Sequence, residues 1–252
     1  MADFFHAGKP LLTVMIQSPD PDRAIETVPK AIQAGAEAFA IQADKLKREF
    51  QNEAAYRRIF QAMQGFPIYA TYYRNGENTG KTDEELSQGL LELTRSGASL
   101  VDMMADYFDP SPDELSMDPG AIQKQKDLIG QIHACGGKVL MSSHTGRFLP
   151  AERVLEIARA QQDRGTDYVK IVTGAQTVEE EVENLRITHL LCEHLAVPFL
   201  FLSGGRCQLH RRIGPMLGCS MYLCVYEHDE LSTRAQPVLE HIKAVRDHFE
   251  FF

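Results

Sequence analysis

No stretch of this 252-residue chain is apolar for long enough to cross a bilayer; the longest runs, such as "AVPFLFL", have the length of a strand. The amino terminus, "MADFFHAGKP", has no basic region leading into an apolar core, so it does not read as a secretory signal and a cytoplasmic location is expected. Positive charge is in short supply. Lys and Arg number 26 against 35 Asp and Glu, a formal net charge of −9, which disfavours nucleic acid or an anionic membrane as a partner and leaves a small molecule. The five cysteines form no CxxC pair, so neither a disulfide framework nor a zinc ribbon is indicated. The first strand is followed by neither GxGxxG nor GxxxxGK[ST], which removes the usual dinucleotide and P-loop readings. Low-complexity and linker-like segments are also missing, so residues 1–252 read as one domain.

What the chain does have is a regular alternation. Apolar runs at Leu11 to Gln17, Phe39 to Ala43, Pro67 to Tyr73, Leu100 to Met104, Lys138 to Ser143, Tyr168 to Val172, Pro198 to Leu202 and Ser220 to Tyr226 are strand-like. Between them lie amphipathic helical stretches, including Lys47 to Gln64, Asp83 to Ser96, Pro119 to Ala134, Val178 to Leu195 and a last one from Gln236 to Phe249. Gly35, Gly65, Gly97, Gly136 and Gly165 punctuate the helix ends. Eight strand–helix units predict an α/β fold of the (β/α)8 TIM-barrel type, with the site at the carboxyl ends of the strands.

That rule draws attention to Lys138 to Ala175, a strand–loop–helix–strand unit with His144 ending the first strand and Lys170 inside the second. A right-handed crossover makes the two strands parallel neighbours, so both side chains face one crevice. A lysine between Val169 and Ile171 loses hydration and needs a reason to be there. One reason is chemical: a desolvated amine can form a Schiff base with a ketone, and an imidazole beside it can move the protons. The other is structural, a salt bridge to a strand carboxylate such as Asp102 or Asp167.

The order of these residues resembles the type I 3-dehydroquinate dehydratases over nearly the whole chain. The similarity is carried by "SSHTGRFLP", "DYVKIV", "SGGRCQLHRRIG" and "STRAQ". The resemblance implies a Schiff-base lyase that turns 3-dehydroquinate into 3-dehydroshikimate and water in the shikimate pathway, with no metal or organic cofactor and with room for a homodimer. It makes Lys170 the nucleophile, His144 the general acid/base and Glu77 the carboxylate that orients the histidine. It gives substrate contacts to Arg212, Ser232, Gln236, Gln42 and Arg74, with Arg212 on the substrate carboxylate. Departures cluster at strands two to four. Ala40 and Gln42 stand where the family has Glu and Arg, Tyr73 stands where it has Arg with Arg74 one position later, and Met104 stands where it has Glu. The catalytic groups are kept while the groups that would hold a polyhydroxylated ring are changed, so a related Schiff-base enzyme acting on a different keto acid is the nearest alternative. A metal-dependent barrel isomerase using Asp44, Asp102, Glu227 or His210, and a non-catalytic ligand-binding barrel, are the readings from other classes. Arg206, Arg211 and Arg212 form a local cationic cluster, for which an anion met by one of them and helix-surface salt bridges are the two readings.

Overall fold

The computed structural model describes residues 3–5 and 9–249. Eight strands run in the order of the chain: β1 (Leu11–Ile16), β2 (Ala38–Gln42), β3 (Ile68–Thr71), β4 (Leu100–Met104), β5 (Lys138–His144), β6 (Tyr168–Ala175), β7 (Phe199–Gly205) and β8 (Met221–Cys224). Eight helices alternate with them: α1 (Pro21–Ala34), α2 (Glu53–Ala62), α3 (Asp83–Ser96), α4 (Pro119–Ala134), α5 (Ala151–Asp163), α6 (Val178–His194), α7 (His210–Ile213) and α8 (Leu239–Asp247). All described pairings are parallel, and the sheet order is β7-β6-β5-β4-β3-β2-β1-β8. The sheet therefore curls back until its two end strands meet. Along that seam the described backbone contact is Ser220 N–H to Phe199 C=O at 3.4 Å, while the Phe201 N–H reaches Cys219 Sγ at 3.5 Å. The expected TIM barrel is thus present. No helix among the described residues is long and apolar enough to span a membrane.

Element ends follow local chemistry. Asn52 caps α2 by accepting from the Ala55 N–H at 3.1 Å, so that helix starts later than its apolar periodicity suggests and the residues before it form short 3-10 turns. Thr82 and Glu85 close a reciprocal capping box at the start of α3, satisfying two N–H groups that the helix itself cannot. β3 ends at Thr71 rather than Tyr73, and β6 continues to Ala175. The extension of β6 needs Gly174. A Cβ there would lie 2.8 Å from the Gly146 carbonyl oxygen, because the loop leaving β5 folds down onto β6 through Thr145 N–H to Val172 C=O at 2.9 Å and Gly174 N–H to Arg147 C=O at 3.0 Å.

Side chains alternate across each strand, and the inward set is where the site is built. The register pairs Thr71 with Asp102, Met104 with Ser142 and Ser142 with Lys170. Those pairs set Tyr69, Asp102, Ser142 and Lys170 beside one another near the barrel axis. All four are buried, beneath a wider opening at the strand carboxyl ends.

Candidate active site

That opening is a cavity of about 550 Å³ lined by Met15, Gln42, Tyr73, Arg74, Asn75, Met104, Glu114, His144, Lys170, Val172, Leu202, Arg211, Leu223, Thr233 and Gln236. Lys170 lies at its floor, and all three donors of its ammonium have acceptors. These are Tyr73 Oη at 2.6 Å, Tyr69 Oη at 3.0 Å and Asp102 Oδ2 at 3.1 Å. The salt bridge foreseen as the structural explanation of this lysine is therefore present, with Asp102. Asp167 instead pairs with Lys138 and His133. Burial alone would raise the Asp102 carboxyl, but the Lys170 charge, His144 and the hydroxyls of Ser142 and Tyr69 outweigh it and hold Asp102 below its ordinary value. Asp102 Oδ2 also accepts from both phenols, from Tyr73 at 2.5 Å and from Tyr69. Burial first and Asp102 second push both phenols well above the usual tyrosine value, so each stays a protonated donor.

His144 ends β5 on the same wall. Its ring meets that of Tyr73 edge to face, with centroids 5.1 Å apart. Its Nδ1 lies 2.9 Å from Glu114 Oε2, and the same oxygen accepts from the His144 backbone N–H at 2.8 Å. A carboxylate on Nδ1 fixes the Nδ1–H tautomer and leaves Nε2 as the free base. Glu114 comes from the loop between β4 and α4, where it adopts a φ of 45°. Its carbonyl oxygen accepts from Ser143 Oγ at 2.7 Å. Arg164 holds the same loop from behind by donating to the Ala105 carbonyl at 2.6 Å and to the Ser116 carbonyl.

This changes one expected role. Glu77 is exposed, and its contact in the structure is its main-chain carbonyl, which accepts from Arg48 Nε at 2.8 Å. The short 3-10 turn after Asn75 carries its side chain away from His144, and Glu114 takes the place expected for it. Sequence reasoning passed over Glu114 because a carboxylate in a Pro-bearing connector has no periodicity to give its direction.

The expected arginine is displaced by one position. Arg212 is exposed and donates to the Gln208 carbonyl at 2.9 Å, whereas Arg211 is buried, lines the cavity and donates from Nε to the Ser203 carbonyl at 3.0 Å. Among the described residues no carboxylate pairs with Arg211. Burial brings its guanidinium down to about 10, still charged at neutral pH. α7 is seated by Glu181, whose carboxylate accepts from the Leu209 and His210 N–H groups. His210 packs edge to face on Phe201 at 5.3 Å and meets Thr188 Oγ1 at 2.8 Å. Burial, then Arg211, push His210 down to about 3, so it is a neutral packing residue. Gly214 is required beneath it, since a Cβ there would come within 2.6 Å of His210 Nε2.

The remaining expected contacts divide. Gln42 lines the cavity, but its side-chain oxygen already accepts from Gln17 Nε2, which also bonds Thr233 Oγ1 at 3.2 Å. Arg74 lines the cavity too, yet its guanidinium is spent on Asp83 at 2.7 and 2.8 Å and on Asp106 at 2.6 Å. Those bonds raise it above the ordinary arginine value despite the opposing effect of burial. Gln236 is buried against the cavity with its side-chain oxygen unpartnered. Ser232 is drawn into a turn with Asp229, accepting from its N–H at 2.9 Å and donating to its carbonyl at 3.0 Å; Thr233 faces the cavity in its place. Asp44 accepts from Thr71 Oγ1 at 3.2 Å and from the Tyr73 N–H at 3.4 Å, and so fixes the backbone behind Tyr73. Burial pushes its carboxyl up to about 6. The four residues considered as metal ligands do not gather. Asp44 lies behind Tyr73, Asp102 is beneath Lys170, His210 is under α7 and Glu227 lines a different cavity. Among the described residues no group of three or more His, Cys, Asp or Glu could hold a metal ion.

The sequence model of the type I 3-dehydroquinase family matches residues 12–248. A 3-dehydroquinate dehydratase of Klebsiella pneumoniae subsp. pneumoniae is 28% identical over 225 residues, covering 86% of this chain and 85% of the relative. Among solved structures, the 3-dehydroquinate dehydratase of Geobacillus kaustophilus superposes with a TM-score of 0.80 at 18% identity, covering 95% of this chain and 90% of the other. The type I 3-dehydroquinate dehydratase of Clostridium difficile gives 0.78 at 15% identity, with 95% and 92% covered.

Proposed function

Because this chain belongs to the type I 3-dehydroquinase family, we propose that it binds a carboxylated ketone, with 3-dehydroquinate the first candidate, joins it to Lys170 as a Schiff base and expels water from it. The observation that carries this reading is the convergence of a buried amine, an imidazole oriented by a carboxylate and an unpaired buried guanidinium on one cavity. Arg211 receives the substrate carboxylate through a two-donor fork, with Gln236 beside it. The iminium on Lys170 withdraws electrons from the neighbouring carbon and acidifies its proton. His144 takes that proton at Nε2 and returns one to the departing β-hydroxyl. Glu114 keeps the imidazole in the tautomer this needs and offsets the charge it gains.

A second reading within the same chemistry is favoured by the condition of Gln42 and Arg74. The polar groups on the wall that would meet ring hydroxyls are already consumed by Gln17, Asp83 and Asp106, and Met104 adds an apolar surface. A keto acid with fewer hydroxyls leaves fewer groups unpaired there.

Sodium borohydride trapping followed by intact-protein mass tests both readings. With 3-dehydroquinate the expected result is one reduced adduct, absent in Lys170→Ala, together with a conjugated enone seen in the ultraviolet. His144→Ala keeps the adduct and loses about 10²- to 10⁴-fold in turnover. Neither adduct nor enone from any of a panel of carboxylated ketones would overturn the Schiff-base assignment. An adduct with a less hydroxylated member alone would select the second reading.

A further inference from the structure

Tyr73 occupies the position next to the amine that mechanism must account for. Two phenols touch Lys170 Nζ, but they are placed differently. Tyr69, 3.0 Å from Nζ, has 0% exposure, whereas Tyr73, 2.6 Å from Nζ, has 8% and lines the cavity. His144 has no hydrogen bond to the amine among the described residues, its Nδ1 being committed to Glu114. Any carbonyl carbon bonded to Nζ brings its oxygen within reach of a hydroxyl that already lies 2.6 Å from that nitrogen.

Resting on the Schiff-base reading, we propose that Tyr73 is a further catalytic residue, the relay that moves protons from the Lys170 amine to the substrate carbonyl oxygen during iminium formation. The balance closes without another reactant. A ketone and an ammonium give an iminium and water: of the three protons on Nζ one stays on the iminium nitrogen and two leave with the oxygen. In the first step Nζ gives up one proton, the lone pair so freed forms the N–C bond, and the C=O π pair moves onto oxygen. Tyr73 passes its phenolic proton to that oxygen and takes the one given up by nitrogen, giving the carbinolamine. In the second step Tyr73 takes a second proton from nitrogen while delivering its own to the departing hydroxyl, the C–O bond breaks with release of water, and the nitrogen lone pair so freed forms C=N, leaving the phenol protonated. Asp102 stays a carboxylate throughout and faces first the ammonium, then the iminium. Burial beside Asp102 keeps the phenol protonated between transfers. The division of labour follows from position: Tyr73 serves the nitrogen and the carbonyl oxygen, His144 the carbon and the β-hydroxyl.

The test is rapid-quench borohydride trapping with 3-dehydroquinate on four proteins: wild type, Tyr73→Phe, Tyr69→Phe and Lys170→Ala. Phenylalanine at 73 keeps the ring against His144 and removes only Oη. Tyr69→Phe removes an equivalent pair of hydrogen bonds from Nζ and Asp102 without touching the cavity, and so controls for mere positioning of the amine. The expected result is adduct formation slowed about 10²-fold or more in Tyr73→Phe, nearly unchanged in Tyr69→Phe and absent in Lys170→Ala. Equal slowing in both tyrosine variants would make the phenols supports for the lysine and overturn the relay, as would unchanged trapping in Tyr73→Phe. If Tyr73→Phe fails to fold, 3-fluorotyrosine at position 73 keeps the shape and alters the acidity of the hydroxyl; an unchanged trapping rate there overturns the proposal. A wild type that traps neither 3-dehydroquinate nor any other carboxylated ketone of the panel would instead bring down the Schiff-base reading, and the relay with it; where another member of the panel forms the adduct, the four proteins are compared with that ketone.

Discussion

Neighbouring side chains leave a helix axis about 100° apart, so of two adjacent arginines in a short helix only one can face the barrel. "HRR" announces a cation at this place without saying which residue supplies it, and the resemblance put Arg212 where the structure has Arg211. The difference is large in consequence, because a guanidinium cut off from water and lacking a carboxylate gains most from an incoming anion, while Arg212 already lies in solvent. Arg211→Lys is expected to lower kcat/KM for a carboxylated substrate about 10- to 100-fold, since a point charge replaces a planar fork and one charged hydrogen bond is worth roughly 1.5–3 kcal/mol. Arg212→Ala should stay within about threefold of wild type. Steady-state kinetics on the two variants decide it, and the reverse ordering would remove Arg211 from the site. That Lys170 and His144 face one cavity, by contrast, was legible from the chain alone. Both sit on strands, where alternation and the parallel crossover fix direction as well as position.

At the scale of the element, the fold was readable wherever apolar runs and terminal glycines gave a period, and unreadable in the connectors. The segment from Ala105 to Asp118 shows why. It has no internal repeat, and its shape is set by contacts distant in sequence: Arg164 from the far end of α5, and Gln125 from α4, which donates to the Tyr107 carbonyl at 2.8 Å. Within the segment, Asp109 accepts from Ser116 Oγ at 2.8 Å. Those anchors hold Glu114 in its left-handed conformation, an arrangement that an isolated loop would avoid. Glu77 looked equally suitable by type and lies on the loop after β3, but a 3-10 turn sends it outward. Glu114→Gln preserves an acceptor for Nδ1–H and removes the charge. It is expected to lower kcat about 10- to 100-fold while leaving adduct trapping at Lys170 and substrate KM near their wild-type values, whereas Glu77→Gln leaves kcat unchanged. Equal kcat values for the two variants would show that His144 works without a charged partner.

At the scale of the whole molecule, the weakly bonded seam between β7 and β8 makes the barrel a split ring rather than a hoop. Seven continuous ladders resist deformation, and the eighth junction supplies the compliance. The split runs between the two segments that hold Arg211 and Gln236, which follow β7 and β8. On the proposed binding mode, a ligand carboxylate gripped from both sides would act as a clasp, converting binding at the mouth into tension around the circumference. Hydrogen–deuterium exchange can read this directly. In the free protein the Phe201 amide, facing a sulfur in place of a carbonyl, is expected to exchange faster than the laddered amides of β5, and a bound keto acid should slow it more than it slows any amide of β2 or β3. Uniform protection around the ring before binding would mean the clasp has nothing to close. If the split behaves as drawn, affinity in this barrel is partly an elastic property: variants that stiffen the seam far below the cavity would tighten substrate binding without touching the substrate.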